Sequence, residues 1–110
     1  MTCTDYIYRL ANHLEERGVT VSLFCHYLPV AGRIDYLNRD IKINEPSALG
    51  ALMTLAHEGG HWLSYLRFTD EDFNKESREE LAYIYGWSLL QQIARGVVSR
   101  KKWREHHGRR

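Results

Sequence analysis

A chain of 110 residues, 44% hydrophobic and 26% charged, has the composition of one globular domain, with enough apolar side chains for a single core but not for two. No apolar run approaches the ~20 residues of a membrane span, and Met1-Thr2-Cys3-Thr4-Asp5 lacks the basic segment and apolar core of a secretory signal. The net charge of +1 is unevenly spread: residues 95–110 carry seven basic side chains against Glu105 alone, a charge of +6, which leaves −5 on the rest of the chain. Cys3 and Cys25 lack metal-type spacing and suit a reducing, cytoplasmic setting.

Thr4 or Asp5 can cap a first helix running to about Arg17. Tyr6, Leu10, Ala11 and Leu14 form its apolar stripe, and Gly18 stops it. From Val19 to Leu28 the side chains alternate as in a strand that Pro29 ends. His13 and His26 read as surface or structural histidines. Arg33 to Asn44 reads as a hairpin, with Asn38 and Asp40 as turn formers. The expected result is an α+β fold in which a small antiparallel three-stranded sheet packs on helices, with no crossover long enough for parallel pairing.

Asn44-Glu45-Pro46-Ser47 opens the next helix, since proline is favoured in a first turn where its missing N–H is unpaired anyway. That helix runs to about Leu66 and contains His57-Glu58-Gly59-Gly60-His61, an H-E-x-x-H motif. Residues four apart share a helix face with Cβ atoms about 5–6 Å apart, so two imidazoles at this spacing can reach one metal ion. Zinc accepts histidine nitrogen and prefers four ligands. Glu58 falls about 100° around the helix from His57. It can stand beside the metal instead of binding it, and take a proton from an adjacent water. Gly59 and Gly60 each cost about 1 kcal/mol relative to alanine inside a helix, which makes sense if something must approach that backbone closely.

After an acidic connection holding Asp70, Glu71 and Asp72, Ser77-Arg78-Glu79-Glu80 fits a capping box, with Asn74 as an earlier start. The returning helix reaches about Arg95, and Gly96 closes it. A third protein ligand is needed, and Glu79 is the candidate. It shares a face with Ala82, Gly86, Leu89 and Ile93, whereas Glu80 falls on the more exposed face with Trp87 and Gln91. Glu76, one turn earlier, is second choice. Tyr65, one turn beyond His61, and Tyr83, one turn beyond Glu79, are candidate transition-state donors. Residues 1–96 thus form the domain. Residues 97–110 form a basic C-terminal tail or short helix, read as solvated, although such a tail can also bind nucleic acid.

Thr54-Leu55-Ala56-His57-Glu58-Gly59-Gly60-His61 is similar to the T-L-A-H-E-[apolar]-G-H of the ImmA/IrrE family of zinc metallopeptidases. Glu79-Glu80-Leu81-Ala82-Tyr83-Ile84-Tyr85-Gly86-Trp87-Ser88-Leu89-Leu90 resembles that family's E-x-x-A-N-x-F-A-x-x-L-L. Gly59 stands where the family has an apolar residue, and Tyr83 where it has asparagine. The resemblance covers roughly residues 4–95 and places the family's glutamate ligand on Glu79. It implies a gluzincin-type zinc metalloendopeptidase with His57, His61 and Glu79 as ligands and Glu58 as general base. It also implies a protein substrate such as a transcriptional repressor of a phage or mobile element, with no membrane partner. Two other classes fit the same residues: a non-catalytic, metal-stabilised partner-binding module, and a nucleic-acid-binding module with structural zinc.

Overall fold

The computed structural model describes residues 1–68 and 74–108. The first helix, α1 (Cys3–Glu15), starts two residues earlier than its sequence suggests. Thr2 is the cap: its hydroxyl accepts the Asp5 N–H at 3.3 Å, and the Asp5 carboxylate accepts the Thr2 N–H at 2.8 Å. Ile7, Leu10, Ala11 and Leu14 are buried along its inner face. Gly18 then takes the left-handed conformation at φ +92° and turns the chain into β1 (Thr20–Ser22).

β1 is far shorter than the Val19–Leu28 alternation suggests. Phe24 sits at φ +60° and breaks the extended run. Residues 23–31 cross over to the far side of the sheet, held by Cys25 N–H to the Ile43 carbonyl at 2.9 Å and Asn44 Nδ2–H to the Leu28 carbonyl at 3.0 Å. β2 (Gly32–Asp35) and β3 (Asp40–Ile43) then form the expected hairpin, and the Asp35 carboxylate accepts both the backbone and side-chain N–H of Asn38 in its turn.

The sheet corrects the all-antiparallel expectation. Its order is β1-β3-β2, with β2 antiparallel to β3 but β1 parallel to it, Val21 opposite Ile41. The physical reason lies in β3. Ile41 and Ile43 are buried, and the central position gives that strand neighbours on both sides. The outer edge is left to β2, where Arg33 is exposed.

The helix α2 (Ala48–Phe68) is the centre of the molecule. Every residue from Ala51 to Gly60 is buried, whichever face it occupies, because α1, the sheet, α3 (Lys75–Ile93) and α4 (Arg100–Gly108) surround it. Trp62, also buried, donates its Nε1–H to the Arg17 carbonyl at 3.0 Å and ties α2 to the α1–β1 turn. Asn74 caps α3 by accepting the Ser77 N–H at 2.9 Å, so the earlier of the two expected starts is used. The acidic residues Asp70, Glu71 and Asp72 lie outside the described residues.

The two mid-helix glycines of α2 answer to different neighbours. A Cβ on Gly59 would sit 2.9 Å from a Leu14 methyl of α1. A Cβ on Gly60 would overlap the Ala82 carbonyl oxygen and lie 2.8 Å from the Gly86 nitrogen. Gly86 is the reciprocal notch: a Cβ there would lie 2.8 Å from the Ala56 carbonyl oxygen and 2.7 Å from the Trp103 ring. The helices α2 and α3 therefore meet backbone to backbone.

The C-terminal segment also departs from expectation. It forms a short helix, but not a solvated one. Val98 and Trp103 are buried, and Trp103, 0% exposed, donates its indole N–H to the Tyr83 carbonyl at 3.2 Å. The domain thus continues past residue 96, because Trp103 fills the space Gly86 leaves open. Among the described residues no helix is long and apolar enough to cross a membrane.

Two stability measurements check this packing. At an exposed helix position Gly→Ala gains about 1 kcal/mol, but Gly60→Ala should cost about 1–3 kcal/mol through overpacking, as a lowered urea midpoint. Trp103→Ala should cost about 3–5 kcal/mol, whereas a residue of a solvated tail would change stability by no more than about 0.5 kcal/mol.

Candidate metal centre

His57 and His61 project from one face of α2, one turn apart, with ring centroids 4.8 Å apart and the rings edge to face. Glu79 reaches them from the second turn of α3. Its carboxylate spans the two imidazoles, Oε2 lying 3.0 Å from His57 Nε2 and Oε1 lying 3.3 Å from His61 Nε2. The close contact at Gly60 and Gly86 makes this reach possible, since Glu79 stands just ahead of Ala82 on the face that touches α2. Glu76 and Glu80 are exposed, and neither contacts these imidazoles among the contacts of the described residues. Helical phase therefore selects the same glutamate that its shared face with Ala82, Gly86 and Leu89 indicates.

Burial is graded across the centre. The His57 side chain is 0% exposed, that of His61 12% and that of Glu79 35%. Glu58, 3% exposed, is buried beside them. It lines a cleft of about 460 Å³ together with His61, Glu79, Arg33, Tyr36 and Arg78. The Glu58 and Glu79 carboxylates and the His61 imidazole line it, and β2 and the start of α3 add the cations Arg33, Lys75 and Arg78. A second cleft, about 520 Å³, opens on the other side of Glu79 and is lined by Tyr83, Arg104 and His107, among others.

Two overlapping donor sets have their ligand atoms mutually within 4.8 Å: His57, Glu58 and His61, and His57, Glu79 and His107. The expected set of His57, His61 and Glu79 is connected through the two carboxylate oxygens, one to each ring. Imidazole nitrogen and carboxylate oxygen are donors that zinc accepts at about 2.0–2.2 Å, and a tetrahedron of such bonds has edges of about 3.3 Å. Each carboxylate oxygen of Glu79 lies at about that distance from one imidazole nitrogen, a different oxygen for each ring. By donor chemistry and mutual distance, the groups His57, Glu58 and His61, and His57, Glu79 and His107, could hold a metal ion.

The two candidate tyrosines separate. Tyr65 is exposed and turned toward Tyr36 and Trp62, with ring centroids at 4.6 and 5.6 Å, in a groove that neither Glu58 nor Glu79 lines. One helical turn from His61 brings it onto the α1–β1 side, so it is not placed as a donor to this centre. Tyr83 does border the second cleft beside Glu79, its ring 4.8 Å from that of His107. His26 is exposed and His13 lies on α1, so neither joins the centre.

Sequence reasoning missed Arg33, Tyr36, Arg78 and His107. The first three have no local signature: the hairpin's position over α2 brings in Arg33 and Tyr36, and Arg78 comes with the first turn of α3. His107 had a weak one: it lies four residues after Trp103, so an aromatic ring and an imidazole share one face of a short helix. Comparison with protein-family models, curated proteins and solved structures finds no match to this chain.

Alanine substitution at the three neighbouring glutamates tests the geometry. Glu79→Ala should weaken metal binding by at least about 10–100-fold, the loss typical even for groups outside the ligand shell, as read by competition with a chromogenic chelator. Glu76→Ala and Glu80→Ala should leave affinity unchanged.

Proposed function

We propose that this chain is a zinc-dependent metallopeptidase of the ImmA/IrrE type that hydrolyses peptide bonds in a protein substrate. The observation that carries this reading is the contact of one α3 carboxylate, Glu79, with both imidazoles of the H-E-x-x-H helix, beside a buried Glu58 that faces an open cleft. His57, His61 and Glu79 would hold the zinc ion. Bound zinc supplies Lewis acidity, polarising a carbonyl and making a nearby water acidic enough to lose its proton near neutral pH.

The remaining steps belong to the chain's own side chains. Glu58 accepts the proton from the attacking water and passes it to the leaving amine. Arg33, Arg78 and the Tyr36 hydroxyl border the same cleft, and a cation or hydroxyl there can stabilise the developing oxyanion. They take the place first assigned to Tyr65. β2, an edge strand, borders this cleft through Arg33 and Ile34, with Tyr36 just beyond its end, so an extended substrate can add to the sheet as a further strand. Regulators of the repressor type, cleaved in an exposed segment, are the substrate class the family resemblance favours. A cytoplasmic setting agrees with two free cysteines.

Glu58→Gln tests the proposal. Glutamine keeps the shape and cannot accept a proton, so the variant should retain one zinc per chain while hydrolysis of a fluorogenic peptide library falls about 10²–10⁴-fold. Loss of zinc would make Glu58 a ligand. Stoichiometric zinc without hydrolysis by the wild-type chain would assign the centre to a partner-binding module.

A further inference from the structure

We propose that His107, on the C-terminal helix, is a fourth protein ligand of the metal centre. This deepens the metal-centre reading and rests on it. The His107 ligand atom lies within 4.8 Å of those of both His57 and Glu79, and its ring centroid is 5.4 Å from that of His57. It lines the second cleft, whereas Glu58 lines the first. Histidine and carboxylate donors from three different helices thus lie within reach of one another.

The helix that carries His107 is held firmly. One turn before it, Trp103 stacks on Tyr83 at 5.8 Å, donates to the Tyr83 carbonyl and is fully buried. Its neighbour His106 stacks against Trp103 and places Nε2 3.1 Å from the Thr54 hydroxyl of α2. Trp103 thus anchors α4 to α3, and His106 anchors it to α2, while His107 is directed between those helices. A surface histidine of a basic tail would have none of these anchors.

Four protein donors complete the shell that zinc prefers, as in closed structural sites, whereas catalytic sites keep a position open. His107 must withdraw, or the shell must expand, before a substrate carbonyl can reach the ion. Metal binding should also clamp α4 to the α2–α3 pair.

Cobalt(II), which accepts the same donors and absorbs in the visible, is the probe. The full chain and its His107→Cys, His107→Ala, His106→Cys and His57→Ala variants are titrated with Co²⁺, and far-ultraviolet circular dichroism checks the fold of each. The wild-type chain should bind one Co²⁺ with the intense visible bands of a tetrahedral site. His107→Cys should add a thiolate-to-cobalt charge-transfer band in the near ultraviolet, which only direct coordination produces, and His106→Cys should not. His107→Ala should weaken binding by at least about tenfold. If His107→Ala fails to fold, the His107→Cys spectrum decides. A wild-type affinity in His107→Ala, or a folded His107→Cys without the new band, overturns the assignment of His107 alone. No cobalt uptake by the wild-type chain, or undiminished uptake by His57→Ala, overturns the metal centre itself and His107 with it.

Discussion

The contact on which the rest of the structure depends is the backbone-to-backbone meeting of α2 and α3 at Gly60 and Gly86. Each glycine inside a helix sacrifices about 1 kcal/mol of intrinsic stability. In return the two helix axes approach to a distance that no Cβ would permit at either position. That approach sets the reach of every side chain nearby. With the side chains removed at the crossing, the two carboxylate oxygens of Glu79 rest on His57 and His61. The same notch at Gly86 receives the Trp103 ring, so one packing event seats both Glu79 and the C-terminal helix.

The centre lies at a boundary between core and solvent. His57 is fully enclosed, and the Glu79 carboxylate is about one-third exposed between two clefts. Enclosure on one side fixes the imidazole geometry, because a buried ring surrounded by close-packed side chains has few alternative rotamers. Openness on the other side leaves room for a ligand. The cations Arg33, Lys75 and Arg78 line the same cleft as the Glu58 and Glu79 carboxylates. Both signs of charge thus meet in one cleft, with negative groups beside the donor nitrogens and positive groups available to a carbonyl or an acidic peptide.

Much of this was legible in the chain because its signals are local. The H-E-x-x-H spacing places two imidazoles on one helical face whatever the rest of the protein does. The spacing of Ala82, Gly86 and Leu89 phases the next helix and selects Glu79 over its two neighbours. Adjacent glycines in a helix announce a close contact without naming the partner. Helix number, the hairpin and the α+β class follow from the same short-range periodicities.

Tertiary structure alone decided the rest. Which strand takes the centre of the sheet depends on the relative burial of Ile41 and Ile43, so β1 pairs parallel to β3 although no helix intervenes. Gly60 proved to face α3 and Gly59 to face α1, a distinction that turns on the direction of each residue around α2 and on what lies there. Seven basic side chains in the last sixteen residues read as a solvated tail, because charge is visible in sequence and a cavity is not. One tryptophan and the space left by Gly86 override that charge, since burying a large aromatic ring outweighs the solvation preference of a short helix whose cations still reach water. Arg33, Tyr36 and His107 reach the centre for the same reason: long-range packing, and not neighbouring sequence, determines where their side chains end.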